Sequence, residues 1–325
     1  MTTLITGANG FVGRALIAAL ARKGIPVRGA VRGWEGIETG SASQTWCAVG
    51  DVGPRTDWSR ALRDVDAVVH LVARTHIRDH GNQALPSYRQ INVEGTRRLA
   101  EQAASAGVRR LVFVSSIKVL GERTLVQPFR AGDEPAPQDA YGISKREAEQ
   151  ALMAVAAGAG METVIVRPPV IYGPGVKGNF LRLMRLIAKG TPLPFDAVKN
   201  RRSIVAVENL ADLLMRCLEA SEARGRILLV SDGESLSTPQ LIRLIAAAMG
   251  RPARLVPVPP WALRGVGWFA GRSDEMARLC GSLEVDDSET QELLAWQPPV
   301  STDRAIRDTV EHFMSAQARQ PAWAI

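Results

Sequence analysis

The stretch Thr6-Gly7-Ala8-Asn9-Gly10-Phe11-Val12-Gly13 constrains this chain more than any other. It follows a short apolar run, residues 2–6, and opens an amphipathic stretch, residues 10–23. Glycines between a strand and a helix allow a tight turn and let the backbone approach a bound group closely. The helix N-terminus adds free N–H groups and a partial positive charge, which together suit a pyrophosphate. A plain strand-to-helix turn can also be glycine-rich, and the spacing departs from G-x-G-x-x-G. The loop alone therefore leaves both readings open.

The rest of the first half extends the pattern. Apolar runs at 26–31, 45–49, 67–72, 110–114 and 163–167 alternate with helical stretches, among them 88–106 and 141–157. This predicts a Rossmann-type α/β fold, a doubly wound parallel sheet with crossover helices on both faces. Ligands of such sheets bind beyond the carboxyl ends of the strands. Past Arg167 the chain changes character: Pro168, Pro169, Pro174, Pro192 and Pro194 punctuate one segment, and Pro252, Pro257, Pro259 and Pro260 another. We expect a dinucleotide-binding domain of residues 1–167 plus about 207–230 and a smaller substrate-binding lobe of 168–206 plus 231–325. A helix at 208–220 and a strand at 226–230 would return to the first domain.

Composition removes several function classes. Arg167 and Arg264 interrupt the most apolar stretches, so no membrane insertion is expected. The first strand begins almost at Met1 without a basic stretch and an apolar run before it, so no signal peptide is expected. Cys47, Cys217 and Cys280 lack metal-ligand spacing and read as reduced thiols of a cytoplasmic protein without a metal. The net charge of +7 comes without a Lys/Arg block interleaved with aromatics, so nucleic acid is not an expected partner. A dispersed basic surface or an anionic substrate accounts for the charge.

The second strand ends Ala30-Val31-Arg32-Gly33. No carboxylate stands there for a ribose 2′-hydroxyl, and Arg32 can pair with a 2′-phosphate. NADP(H) is therefore expected ahead of NAD(H). Asp51, before Val52, is placed either to accept from an adenine amino group or to cap a turn. Farther on, Tyr141-Gly142-Ile143-Ser144-Lys145 puts a phenol and an ammonium on one helix face. An adjacent cation favours the phenolate and lowers a tyrosine pKa from about 10 toward a useful range. Ser115-Ser116 follows the run 110–114, where a hydroxyl can bond a reacting oxygen or simply cap a turn. Serine, tyrosine and lysine in this order, downstream of the glycine loop, are more specific than any one of them.

With these residues assembled, the chain resembles the extended short-chain dehydrogenase/reductase family of nucleotide-sugar epimerases, dehydratases and reductases. The resemblance rests on Thr6-Gly7-x-x-Gly10-x-x-Gly13, His70-Leu71-Val72-Ala73, Asn92-Val93-Glu94-Gly95-Thr96, Ser115-Ser116-x-x-Val119, Tyr141-x-x-x-Lys145 and Arg167-Pro168. It implies Ser116, Tyr141 and Lys145 as the catalytic residues. Around the dinucleotide it implies Gly7, Asn9, Gly10, Phe11, Val12, Gly13, Arg32, Asp51, Val52, Leu71, Val72, Ala73, Asn92, Val114, Ser115, Tyr141, Lys145, Pro168 and Val170. For a UDP-sugar substrate it implies His76, Ser116, Lys118, Tyr141, Asn179, Arg202 and Arg278. It also implies a homodimer through helices 88–106 and 141–157.

The family pattern often continues Val-Tyr-Gly, whereas this chain reads Val119-Leu120-Gly121 after Lys118. Together with Gly175-Val176-Lys177-Gly178-Asn179-Phe180 and Asn200-Arg201-Arg202-Ser203, this stretch resembles a bacterial subgroup often labelled UDP-glucose 4-epimerase. That subgroup includes reductases of UDP-4-keto-6-deoxy-N-acetylglucosamine in O-antigen pathways. The expectation is hydride transfer at C4 of a UDP-sugar, first as a 4-keto reductase of a UDP-N-acetylhexosamine type and alternatively as a 4-epimerase. A non-catalytic dinucleotide sensor is the rival from another class. Such sensors commonly lack the Tyr or the Lys that this chain retains.

Overall fold

The apolar runs become parallel strands buried on both faces. The computed structural model describes residues 1–34, 44–75, 84–269 and 273–318. Its strands are β1 (Thr3–Thr6), β2 (Val27–Val31), β3 (Gln44–Ala48), β4 (Ala67–His70), β5 (Arg110–Val114), β6 (Glu162–Arg167), β7 (Val170–Tyr172), β8 (Arg202–Ala206), β9 (Ile227–Leu229) and β10 (Ser235–Leu236). Seven of them form one sheet in the order β3-β2-β1-β4-β5-β6-β9, each pair parallel. The order reverses between β1 and β4, which opens a crevice beyond their carboxyl ends.

Helices cover both faces, which is why these strands read as continuous apolar runs. On one face helices Phe11–Arg22 and Val207–Glu219 pack Leu16, Leu20, Leu210, Leu213 and Leu214 against Ile5, Val69 and Val112. On the other, helices Gly95–Ser105 and Ala140–Ala159 bring Leu99, Ala103, Ala148 and Leu152 to Leu4, Val68 and Leu111, with Trp58 alongside. Arg110, buried in β5, donates to the Cys217 and Ala220 carbonyls at 2.8 Å each and fixes the end of helix Val207–Glu219 to the sheet.

Pro168-Pro169 ends the β6 ladder, because neither residue has an N–H to donate. The chain leaves the main sheet there and enters a second one, ordered β10-β8-β7. Helices Gly178–Ala188, Thr238–Ala248 and Thr302–Ala318 enclose this smaller sheet around a separate core that includes Tyr172, Met184, Ile245 and Phe313. The stretch expected as one helix over 88–106 is interrupted. Helix Ala84–Tyr88 passes into a π-helical turn, Arg89–Glu94, before helix Gly95–Ser105. Such turns recur at functional sites. Just past this one Gly95 packs closely on Val52: a Cβ there would lie 2.8 Å from Val52 Cγ1. Among the described residues no helix is long and apolar enough to cross a membrane.

Candidate active site

The glycine loop is built for backbone proximity. Gly7 has φ +64° and its carbonyl accepts from Gly10 N–H at 2.9 Å. A Cβ on Gly10 would stand 2.9 Å from Gly7 O, and one on Gly13 2.3 Å from the same oxygen and 2.7 Å from Ala8 O. Helix Phe11–Arg22 starts at Gly10 with neither a side-chain cap nor an acid in its first turn. Its leading N–H groups are left for an external acceptor, which fits the pyrophosphate of a dinucleotide.

A cleft of about 1130 Å³ extends from this loop. Gly7, Asn9, Gly10, Arg32, Asp51, Val52, Leu71, Val72 and Ala73 line it, as the sequence led us to expect. Phe11 and Val12 instead lean on the cores, Phe11 on that of the small sheet and Val12 on that of the large one. Trp34, Arg74, Gln90 and Ile91 also line the cleft and had not been foreseen. Trp34, two residues beyond Arg32, is 58% exposed and was detectable as an aromatic just past a strand end. Gln90 and Ile91 reach the cleft from the π-helical turn, which leaves no mark on a helical hydrophobic pattern. Arg32 is not the free cation expected for a 2′-phosphate: its Nε lies 2.9 Å from Asp51 Oδ1.

At the carboxyl end of β5, next along the crevice, Ser116, Tyr141 and Lys145 come together. Asp139 starts the helix that carries Tyr141 and Lys145, accepting from Gly142 N–H at 2.7 Å, and Gly160 ends it with φ +67°. The Ser116 hydroxyl stands close enough to the Tyr141 phenol to favour its charged form. Burial and the nearby Asp139 carboxylate push the phenol well above its ordinary value, with Ser116 opposing, so it holds its proton at neutral pH. Lys145 is fully buried, donates to Val114 O at 2.7 Å and lies 3.9 Å above the Phe113 ring. Burial brings its ammonium down to about 7, with Glu149 opposing. That changes the expected division of labour: the dominant influences on Tyr141 are burial and Asp139, and the Lys145 hydrogen bond goes to the strand.

Several other expected ligand contacts are occupied within the protein. Asn92 is fully buried: it accepts from Arg74 N–H at 2.8 Å and donates to Arg74 O at 3.2 Å and Ser144 Oγ at 2.9 Å. It positions the cleft wall instead of facing a ligand. Lys118 is held by Glu122 at 2.8 Å and by Asp139. Two carboxylates at one ammonium account for its place beside the Tyr141 helix. Ser115 is buried, and its hydroxyl finds no partner among the described residues. Pro168 is buried and its carbonyl accepts from Ile117 N–H at 3.0 Å, tying β6 to the Ser116 turn, while Val170 is exposed on β7.

In the smaller lobe, Arg202 donates to the Arg278 and Gly281 carbonyls at 2.6 and 3.0 Å. Desolvation and the neighbouring Arg278 charge hold Arg202 below its ordinary value, with Glu122 opposing. Arg278 reaches Glu122 at 3.8 Å. Lys118, Arg202 and Arg278 thus gather around Glu122 and Asp139, a balance that favours an incoming anion. Asn179 is exposed in the first turn of helix Gly178–Ala188. His76 lies outside the described residues.

Comparison with known proteins agrees with this geometry. The family model for the NAD dependent epimerase/dehydratase family matches residues 3–230. The chain is 43% identical over 320 residues to a UDP-glucose 4-epimerase of Vibrio cholerae, covering 97% of this chain and 96% of that one. It is 30% identical over 341 residues to sterol demethylase protein B of Methylococcus capsulatus, covering 96% and 98%. Among solved structures, MoeE5 in complex with UDP-glucuronic acid and NAD superposes with a TM-score of 0.79 at 25% identity, covering 97% of this chain and all of that one.

Proposed function

The chain belongs to the NAD dependent epimerase/dehydratase family, and on that premise we propose that it inverts C4 of a UDP-linked hexose using NAD(H). The observation that carries the reading is the convergence of Ser116 and Tyr141 with the buried Lys145, which is anchored on Val114 O, at the end of a crevice whose glycine loop is shaped for a pyrophosphate. The sequence put 4-keto reduction first. The UDP-glucose 4-epimerase relative at 43% identity moves the weight to epimerisation. For the cofactor, Asp51 occupies Arg32 and would face a 2′-phosphate, which supports NAD(H) over NADP(H).

Bound dinucleotide supplies the hydride acceptor and donor. In its phenolate form, which the positive charge of a bound oxidised nicotinamide would favour, Tyr141 takes the proton of the sugar C4 hydroxyl as C4 is oxidised and gives it back when the ketone is reduced on its other face. Ser116 holds the same oxygen through its hydroxyl. Lys145, anchored on Val114 O and Phe113, lies where it can bond ribose hydroxyls and add positive charge near the phenol. A positive charge there would oppose the burial that keeps Tyr141 protonated. Arg202 and Arg278 meet the diphosphate, with Asn179 at the nucleotide end. Resemblance also supports a homodimer through the stretches 88–106 and 141–157. The buried thiols of Cys47 and Cys217, which form no disulfide, support a reducing compartment such as the cytoplasm.

The test is to incubate the purified protein with UDP-glucose and follow C4 configuration by NMR while monitoring dinucleotide absorbance. Epimerisation yields UDP-galactose with no net dinucleotide consumption. Stoichiometric NADPH oxidation by a UDP-4-keto sugar, with no epimerisation of the UDP-hexose, would instead restore the reductase reading.

A further inference from the structure

An unbroken line of buried hydrogen bonds joins the end of β1 to the helix that carries Tyr141. Thr6 and His70 are register partners across β1 and β4. Thr6 Oγ1 lies 2.7 Å from His70 Nδ1, and His70 Nε2 lies 3.1 Å from Thr96 Oγ1. The Thr96 hydroxyl donates to Asn92 O at 2.6 Å, so its only proton is committed. Thr96 must then accept from His70 Nε2–H, which leaves Nδ1 bare to accept from the Thr6 hydroxyl. Thr6 Oγ1 in turn accepts from Leu71 N–H at 3.1 Å and Val72 N–H at 3.4 Å. These assignments fix one neutral tautomer. Burial and the Lys145 charge hold His70 down at about 3, so it stays neutral near pH 7.

From Asn92 the line continues. Its side-chain amide donates to Ser144 Oγ at 2.9 Å, and the Ser144 hydroxyl donates to Tyr141 O at 2.7 Å. Thr6, His70, Asn92, Thr96 and Ser144 are each 0% exposed. One end of the line thus holds Leu71 and Val72, cleft wall packed against Gly7, where an added Cβ would meet Val72 Cγ2 at 3.3 Å. The other holds the backbone of the proton-transfer residue.

We infer that Thr6, His70, Thr96, Asn92 and Ser144 form a positioning strut that fixes the distance between the dinucleotide seat and Tyr141. The inference rests on the proposed function, which makes the cleft the dinucleotide seat and Tyr141 the proton carrier. Hydride and proton must move at the same carbon–oxygen unit, and a misplacement of about 1 Å can cost about a hundredfold in rate. A buried polar network with its donors and acceptors matched is rigid enough to hold that register.

Thr96→Val tests the strut. The change keeps the side-chain shape, removes the central hydroxyl and leaves both His70 Nε2–H and Asn92 O without their partner. NAD affinity, read from tryptophan fluorescence, should fall about tenfold, and single-turnover hydride transfer about tenfold. Thr96→Ser restores the hydroxyl and should stay near wild type in both. Ser144→Ala severs the Tyr141 end and remains available where Thr96→Val fails to fold. A strut broken twice loses little more than one broken once, so the double variant should match the worse single variant in rate. The inference is overturned by folded Thr96→Val with wild-type affinity and rate, by Thr96→Ser as impaired as Thr96→Val, or by a double variant equal to the product of the singles. Wild-type protein that binds no dinucleotide would defeat the underlying site reading along with the strut. Normal wild-type binding with additive variants would defeat the strut alone.

Discussion

Replacing Gly13 by alanine tests the glycine loop without adding charge or bulk beyond one methyl. The new Cβ would sit 2.3 Å from Gly7 O, 2.7 Å from Ala8 O and 2.8 Å from Ala8 Cα. All three are backbone atoms, so no side chain can swing away. Reaching ordinary contact at about 3.5 Å requires the Gly7–Ala8 peptide and the helix start to separate by about 1 Å. Overpacking of this kind costs about 1–3 kcal/mol. The better helix propensity of alanine returns about 0.5–1 kcal/mol, so a net loss of about 1–2 kcal/mol remains. The same shift moves the N–H groups offered to a pyrophosphate and should weaken NAD binding at least tenfold, by about 1.4 kcal/mol. Gly158 provides the control: it lies in helix Ala140–Ala159, has no positive φ and would meet nothing within 4 Å. Gly158→Ala should gain about 0.5–1 kcal/mol and leave NAD binding alone. Urea unfolding gives the stabilities, and quenching of cleft tryptophan fluorescence gives the affinities. A Gly13→Ala protein as stable as Gly158→Ala, with wild-type affinity, would refute the close-approach argument.

Four further outcomes can be checked. Tyr141→Phe removes only the phenol oxygen. It should retain NAD binding while single-turnover transfer drops about 10²–10⁴-fold, the loss expected of a general acid–base; wild-type turnover would end the mechanism. Asp51→Asn releases Arg32 from its carboxylate partner and should shift the NADP/NAD affinity ratio toward NADP by about two- to fivefold, since exposed pairs of this kind are worth at most about 1 kcal/mol. An unchanged ratio in parallel titrations would separate Arg32 from cofactor choice. The folded Lys145 pKa of about 7 lies below its unfolded value near 10.4, so the unfolded chain binds more protons between them and cofactor-free stability should rise with pH from about 7 to 10. Urea midpoints for Lys145→Met should lack that rise. Glu149 and Arg167, both buried, pair through two hydrogen bonds of 2.9 and 2.7 Å. Glu149→Gln leaves a buried guanidinium short of its counter-charge and should destabilise by about 3–5 kcal/mol, visible in thermal unfolding.

Local sequence determined the frame of this protein. The β1 turn is legible because glycine readily adopts φ +64° at Gly7 and leaves room for the backbone crowding at Gly13. The six leading strands are legible because short, largely apolar runs alternate with amphipathic helical stretches, and Tyr141 and Lys145 because helical spacing sets them on one face. Family resemblance added Ser116 to that pair. What each side chain touches was decided by elements distant in sequence. Arg32 is paired with Asp51 from beyond the next strand, Lys118 is taken by Glu122 and Asp139, and Asn92 is committed to Arg74 and Ser144 across 18 and 52 residues. The π-helical turn that brings Gln90 and Ile91 to the cleft shares the hydrophobic pattern of an ordinary helix. The tautomer of His70 follows from where Thr6 and Thr96 place their hydroxyl protons. Hydrophobic periodicity is a property of neighbours along the chain and can be read there. Hydrogen-bond partners and local charge are properties of neighbours in space, and they exist only once the sheet has brought the strand ends together.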